Sequence, residues 1–184
     1  MSPRRHGVIA RPSRRGYTLI ELLLVIAVLG LAGAILIPSM SQTDTLRIQA
    51  AVRMIIGDLA FAQSDALAQQ EYRRVFFFED GNGYVLLRSP FDPESDAIYD
   101  PLSRTGAYVV RFDLDERLRG VTIESVAIDG EERFISFDEL GGTVTDGNAP
   151  GTGGSIIVRS PNARYEILIA PFTGKMSVRE LALE

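Results

Sequence analysis

The chain has 184 residues, 46% of them hydrophobic, and a net charge of −5. That length suits one compact domain with a tail or an anchor. There is no Cys, and the one His, His6, lies in a basic stretch: the first sixteen residues hold five Arg and no acid. The rest of the chain carries 14 basic and 24 acidic residues, a net charge of −10, which repels phosphate backbones and argues against nucleic acid as a partner. Past residue 6 the commonest general base, metal ligand and soft nucleophile are all missing, so neither a catalytic residue, a metal site nor a cofactor is expected, and the chain reads as no enzyme.

Residues 1–16 read MSPRRHGVIARPSRRG, basic and without a long apolar run. Tyr17–Ile37 follows, 21 residues with a single charge, Glu21. As a helix this run spans about 30 Å, the thickness of a bilayer core. Arg14 and Arg15 stand just before it, which places the N-terminus in the cytoplasm and the remainder across the membrane. Three readings compete. In a secretory signal peptide, Tyr17–Leu31 is the apolar region and Ala32-Gly33-Ala34 the cleavage site, but Glu21 interrupts that region and the apolar run continues past the site. An uncut signal anchor accounts for everything except Glu21. The third reading starts from Glu21. A carboxylate in a membrane helix costs up to about 2.5–3.5 kcal/mol, and no Lys or Arg lies within the run to pair with it. Cutting after Gly16 would create an α-amino group one helical turn away, within reach of a neighbouring subunit's Glu21 in a stack of such helices.

These residues, RRG followed by YTLIELLLVIAVLGLAGAILIP, resemble the N-terminal signature of type IV pilins and pseudopilins. A short basic leader ends in Gly16, an aromatic residue follows at Tyr17, and Glu21 falls at the fifth mature position. The family more often begins its mature chain with Phe. The resemblance implies that a membrane prepilin peptidase cuts between Gly16 and Tyr17 and methylates the Tyr17 amine. It implies assembly through Glu21 with other major and minor pseudopilins on an inner-membrane platform, the helix lying in the lipid bilayer.

Pro38 closes the apolar run, and a helix break is expected there. Beyond it, Ile48, Val52, Ile55, Leu59, Ala62 and Ala66 recur at steps of four and three. They mark one face of an amphipathic helix, with Arg47, Arg53, Asp58 and Asp65 mostly off it. After residue 70 the pattern turns to short strands. Arg74–Glu79 and Tyr84–Arg88 flank Asp80-Gly81-Asn82-Gly83, a hairpin signal. Further runs are Tyr108–Phe112, Val121–Ala127, Phe134–Phe137, Ser155–Ser160, Tyr165–Ala170 and Lys175–Arg179, with turn residues between them. Ser89–Thr105 reads as a long loop. The fold class is α+β: a long N-terminal helix, membrane half plus amphipathic half, packed on an antiparallel sheet or sandwich. The expected organisation is a removed leader at 1–16, a transmembrane assembly helix at 17–38, an amphipathic helix at 39–70 and a periplasmic β-rich domain at 71–184.

FISFDELGGTV, GSIIVRS and YEILIAPFTGKMSV are similar to the H-type minor pseudopilins of type II secretion and their T-type pilus relatives. That resemblance implies a structural subunit near the tip of a periplasmic pseudopilus that exports folded proteins. A minor pilin of a type IV pilus and an uncut, membrane-anchored periplasmic binding domain are the alternatives. Other constellations carry less. Asp80–Gly83 lacks the ligand spacing of a calcium loop. Asp92, Glu94, Asp96 and Asp100 form an acidic cluster with oxygen ligands for calcium, read by default as a solvated loop. Glu131-Glu132 and Asp138-Glu139 are carboxylate pairs without a cleft signal. Gly151–Gly154 lacks the Lys-Ser/Thr of a phosphate loop, and Lys175, the only Lys, sits beside a turn glycine.

Overall fold

The computed structural model describes residues 16–183, with side chains for all of these except 34–43. Of the basic leader expected at 1–16, all but Gly16 lies outside the described residues. By its contacts the chain divides into two compact units, Met1–Ser39 and Met40–Glu184.

Helix α1 runs from Leu19 to Gln69 as one element. The break expected at Pro38, and with it the division into separate helices at 17–38 and 39–70, is therefore corrected. Proline removes one backbone donor and disfavours a helix interior by about 3 kcal/mol, but one missing bond inside a long hydrogen-bonded ladder does not oblige the ladder to stop. The helix ends where Gln70 takes a left-handed conformation, φ 55°. The Glu71 N–H then reaches back to the Ala66 carbonyl at 3.2 Å, the bond that closes a Schellman-type terminus.

Nine strands follow, all paired antiparallel. They are β1 (Arg73–Phe77), β2 (Gly83–Arg88), β3 (Val109–Arg111), β4 (Thr122–Ile128), β5 (Phe134–Phe137), β6 (Thr143–Val144), β7 (Gly154–Ser160), β8 (Ala163–Ile169) and β9 (Met176–Leu181). One sheet has the order β3-β2-β1-β5-β6, the other β4-β7-β8-β9. Eight of the strands lie within a few residues of the runs read from sequence. Only β6 was unforeseen, because two residues show no periodicity.

The protein is α+β, an N-terminal helix on antiparallel sheets. The helical stripe Ile48, Val52, Ile55, Leu59, Ala62 and Ala66 is at most 5% exposed, and it joins Val75, Phe77, Ile156, Val158 and Ile167 in one core. The β1–β2 turn ties the two sheets together. Ile123 donates to the Gly81 carbonyl at 2.8 Å, and a Cβ at Gly81 would lie 2.5 Å from Ile123 O, so this approach admits only glycine. The segment expected as a long loop at Ser89–Thr105 is in fact folded back onto β2. The Ile98 N–H donates to the Leu86 carbonyl, the Arg88 N–H donates to the Asp96 carbonyl, and Leu87 bridges Ala97. Arg74 is held between the rings of Phe91 and Phe134, 4.2 and 3.9 Å from their centres. Under this cover Val85 and Leu87 are fully buried although they lie outside the helix-facing core.

Candidate functional site

Gly16 and Tyr17 lie in exposed, irregular chain just before α1, with Tyr17 78% exposed. A Cβ on Gly16 would meet nothing within 4 Å. Nothing in the described fold therefore demands glycine at this position; a demand for it belongs to whatever binds the segment.

Thr18 and Glu21 form a reciprocal cap at the head of α1. The Glu21 N–H donates to Thr18 Oγ1 at 3.3 Å, and the Thr18 N–H points at Glu21 Oε2 at 3.5 Å. The Leu22 N–H donates to the Thr18 carbonyl at 3.2 Å and begins the helical ladder. Four amides at a helix start lack partners, and a Thr with a Glu three residues later satisfies two of them. The carboxylate also sits favourably at the positive end of the helix dipole. Glu21 thus has a role inside its own subunit that the argument from its missing cation overlooked. The signal was legible as Thr-x-x-Glu ahead of an apolar run. The structure brings Glu21 to the Thr18 amide; the Tyr17 nitrogen is still an amide bonded to Gly16 in the uncut chain.

Along the helix that follows, Leu19, Ile20, Leu22, Leu24, Leu29 and Leu31 are between 56% and 77% exposed. A helix apolar on every side is covered by lipid or by other apolar helices, since monomeric soluble proteins rarely leave such a surface in water. Among the described residues no helix is long and apolar enough to cross a membrane. The side chains of 34–37, which complete the apolar run, and that of Pro38 lie outside the description.

A half-buried polar cluster joins α1 to the first sheet. The Asp58 carboxylate accepts from Tyr84 Oη at 2.5 Å and from Tyr108 Oη at 2.9 Å. Burial raises the Asp58 pKa against the lowering effect of these two bonds. Burial, then the nearby Asp58 charge, pushes the Tyr84 hydroxyl well up, and burial followed by the Asp58 hydrogen bond pushes up Tyr108. Phe61 stacks on Tyr108 with ring centres 5.6 Å apart. Asp58 therefore fastens α1 to β2 and to the start of β3. Asp65 accepts from the Arg73 Nε at 2.5 Å, and Arg73 is only 5% exposed. Asp58 and Asp65 stand off the buried stripe, as read from the sequence, but on its half-buried flank rather than in open solvent. Each lies three residues after an apolar stripe position, which puts it at the edge of that face, and its partners satisfy the charge there.

Several other carboxylates hold turns. Asp80 accepts from the Asn82 N–H and pairs with Arg111 at 2.8 Å; the Asn82 amide first, with Arg111, lowers its pKa. Asp138 accepts from the Leu140 and Gly142 amides, while Glu131, Glu132 and Glu139 are exposed. Asp92 accepts from the Glu94 amide and Ser95, Asp96 from the Asp92 amide and Asp100 from the Leu102 amide. Among the described residues no three His, Cys, Asp or Glu side chains gather as a metal site.

Residues 11–37 match the family profile of the prokaryotic N-terminal methylation motif. This is the type IV pilin-like prepilin signal, and the matched span encloses Gly16, Tyr17 and Glu21. It points to membrane anchoring, to processing by prepilin peptidase and to assembly with other pilin-like subunits. No curated protein and no solved structure matches the chain.

Proposed function

We propose that the chain is a structural minor pseudopilin, H-type, of a type II secretion system. The observation that carries this reading is the methylation motif at residues 11–37 leading directly into a helix whose large apolar side chains are exposed all round. Prepilin peptidase cuts between Gly16 and Tyr17 and methylates the new amine. Glu21 of one subunit then pairs with the Tyr17 amine of a neighbour while the apolar helices pack together. The Thr18–Glu21 cap supports this geometry, because it keeps the carboxylate at the extreme start of the helix where a neighbouring amine arrives. The chain spans the inner membrane once, N-terminus in the cytoplasm, and the β-rich domain stands in the periplasm among other pseudopilins. It works by assembly near the tip of the pseudopilus rather than by catalysis. The acidic body of the chain fits protein partners better than nucleic acid.

Intact-mass measurement on membrane-extracted protein tests the processing. The expected mature chain begins at a methylated Tyr17. A chain beginning at Ile35 signifies a secretory signal peptide, and an uncut chain signifies a plain anchor; either outcome removes the pilin-like reading. Deleting the gene then separates secretion from a pilus. Loss of exoproteins from the medium supports the pseudopilin, and loss of surface fibres with secretion intact replaces it with a minor pilin.

A further inference from the structure

The two sheets end in four edge strands, and an open edge is a template for pairing with another chain. Three of the four are blunted. β3 has three residues and β6 has two. β4 carries a register shift between Ile123 and Ser125, which interrupts its row of backbone groups. β9 differs. Its six residues pair with β8 in unbroken register, it holds no proline, and no other described element hydrogen-bonds to its outer side.

The side chains beside this edge are also unfinished. Val178 stands opposite Ile167, which is fully buried, so Val178 belongs to the helix-facing side of the sheet; yet it is 43% exposed because the sheet stops there. With Val52, Ile56 and Tyr165 it lines a groove of about 270 Å³ between α1 and β9, and Arg53 stands on the groove's rim. Arg53 is exposed, and its side chain has no ion pair or hydrogen bond among the described residues. Glu180 is likewise exposed and without a side-chain partner among them. It stands opposite Tyr165, on the same side of the sheet as Val178.

We propose that β9 is a self-association edge, on which β9 of a second copy of this chain adds antiparallel and continues the four-stranded sheet into eight. The inference goes beyond the pseudopilin reading and does not depend on it. Charge selects the register. With a two-fold axis at Arg179, Val178 stands opposite Glu180 of the second copy and Ser177 opposite its Leu181. Residues opposite one another in an antiparallel pair share a face. Each groove therefore receives the other copy's carboxylate at the level of Val178, beside Arg53, and the contact is made twice. Placing Val178 opposite Val178 would instead carry Glu180 past the groove to Met176. On the outer face the two Arg179 side chains meet, each neutralised by its own Glu166. The interface is isologous and closes at two copies.

The absence of native Cys makes disulfide trapping free of background. Residues opposite one another in antiparallel strands lie about 4.5–5.5 Å apart at Cα, within disulfide reach. Positions 177 and 181 of one chain lie about 13 Å apart and cannot join. Full-length Ser177→Cys/Leu181→Cys, oxidised mildly in membranes, should run as a reducible dimer, and either single variant should trap far less. Adding Arg53→Glu should lower the yield about fivefold, as loss of two exposed ion pairs implies, and adding Glu180→Arg to that variant should restore it. Circular dichroism spectra of the purified variants verify that each is folded; Arg53 and Glu180 are exposed, so neither change disturbs the core. No dimer from the double-cysteine chain, equal trapping by the single variants, or a yield indifferent to Arg53→Glu would each overturn the proposal.

Discussion

Asp58→Ala tests whether this half-buried carboxylate is what fastens the helix to the first sheet. Tyr84 is fully buried, so its hydroxyl would be left without a partner, a loss of about 1–3 kcal/mol. Tyr108 is half-buried and turns to water more easily, which adds about 0.5–1 kcal/mol. Relief of the carboxylate's own desolvation, the cause of its raised pKa, opposes both. The expected net is about 2 kcal/mol, measured by urea unfolding of residues 40–184 followed by circular dichroism at pH 7. Tyr84→Phe alone should cost about 2 kcal/mol as well, because it removes a bond to a charged acceptor. The double variant should cost about 1 kcal/mol less than the sum, since each change removes the other's orphan. Strict additivity, or Asp58→Ala within about 0.5 kcal/mol of the parent, would refute this account. The pH dependence supplies a sign. A raised carboxylate pKa means that the folded state binds the proton more tightly than the unfolded one. The Asp58 contribution to stability therefore falls as pH rises from near 3.8 through the raised value. Asp58→Asn lacks that slope, so its deficit against the parent should widen as pH is lowered through the same window.

Five further outcomes follow from particular contacts. Asp65→Asn should destabilise the same fragment by about 3 kcal/mol in urea, because it leaves Arg73 buried with only the exposed Glu71 as an ionic partner. Gln70→Gly should stabilise it by about 0.5–1 kcal/mol in the same assay, since glycine accepts the left-handed helix terminus without a Cβ penalty. Gly83→Ala should prevent accumulation of folded protein, measured as soluble yield, because its Cβ would stand 1.9 Å from the Val110 carbonyl oxygen and force β2 from β3. Glu21→Ala should leave cleavage after Gly16 intact by mass spectrometry while co-purification with partner subunits is lost, and Thr18→Ala should weaken the helix start by about 1 kcal/mol.

Much of the architecture was legible because it follows from local chemistry. The stripe Ile48 to Ala66 repeats at helical spacing, and a helix with one apolar face buries that face. The hairpin at Asp80–Gly83 and the strands Phe134–Phe137 and Gly154–Ser160 follow from turn residues between β-branched and aromatic runs. At the N-terminus, Gly16, Tyr17 and Glu21 stand out because a charge inside a 21-residue apolar run is costly in lipid and so demands a partner. The Thr18 cap was equally readable, since it depends on two residues three apart.

The rest depended on contacts between residues distant in sequence. Asp58 meets Tyr84 and Tyr108, 26 and 50 positions away, and no local period tells an aspartate that faces water from one that faces two phenols. Strand order is likewise non-local: β1 lies between β2 and β5, and β5 reaches it only after the chain has built β3 and β4. The cover that the 89–105 segment lays over Val85 and Leu87 arises because a sheet presents a second apolar face, and only the folded chain shows what closes it. Pro38 marks the same boundary from the other direction. Its ring chemistry argues for a break, but hydrogen bonds on either side carry the helix through it, and the balance between one lost bond and a long ladder is struck by the structure as a whole.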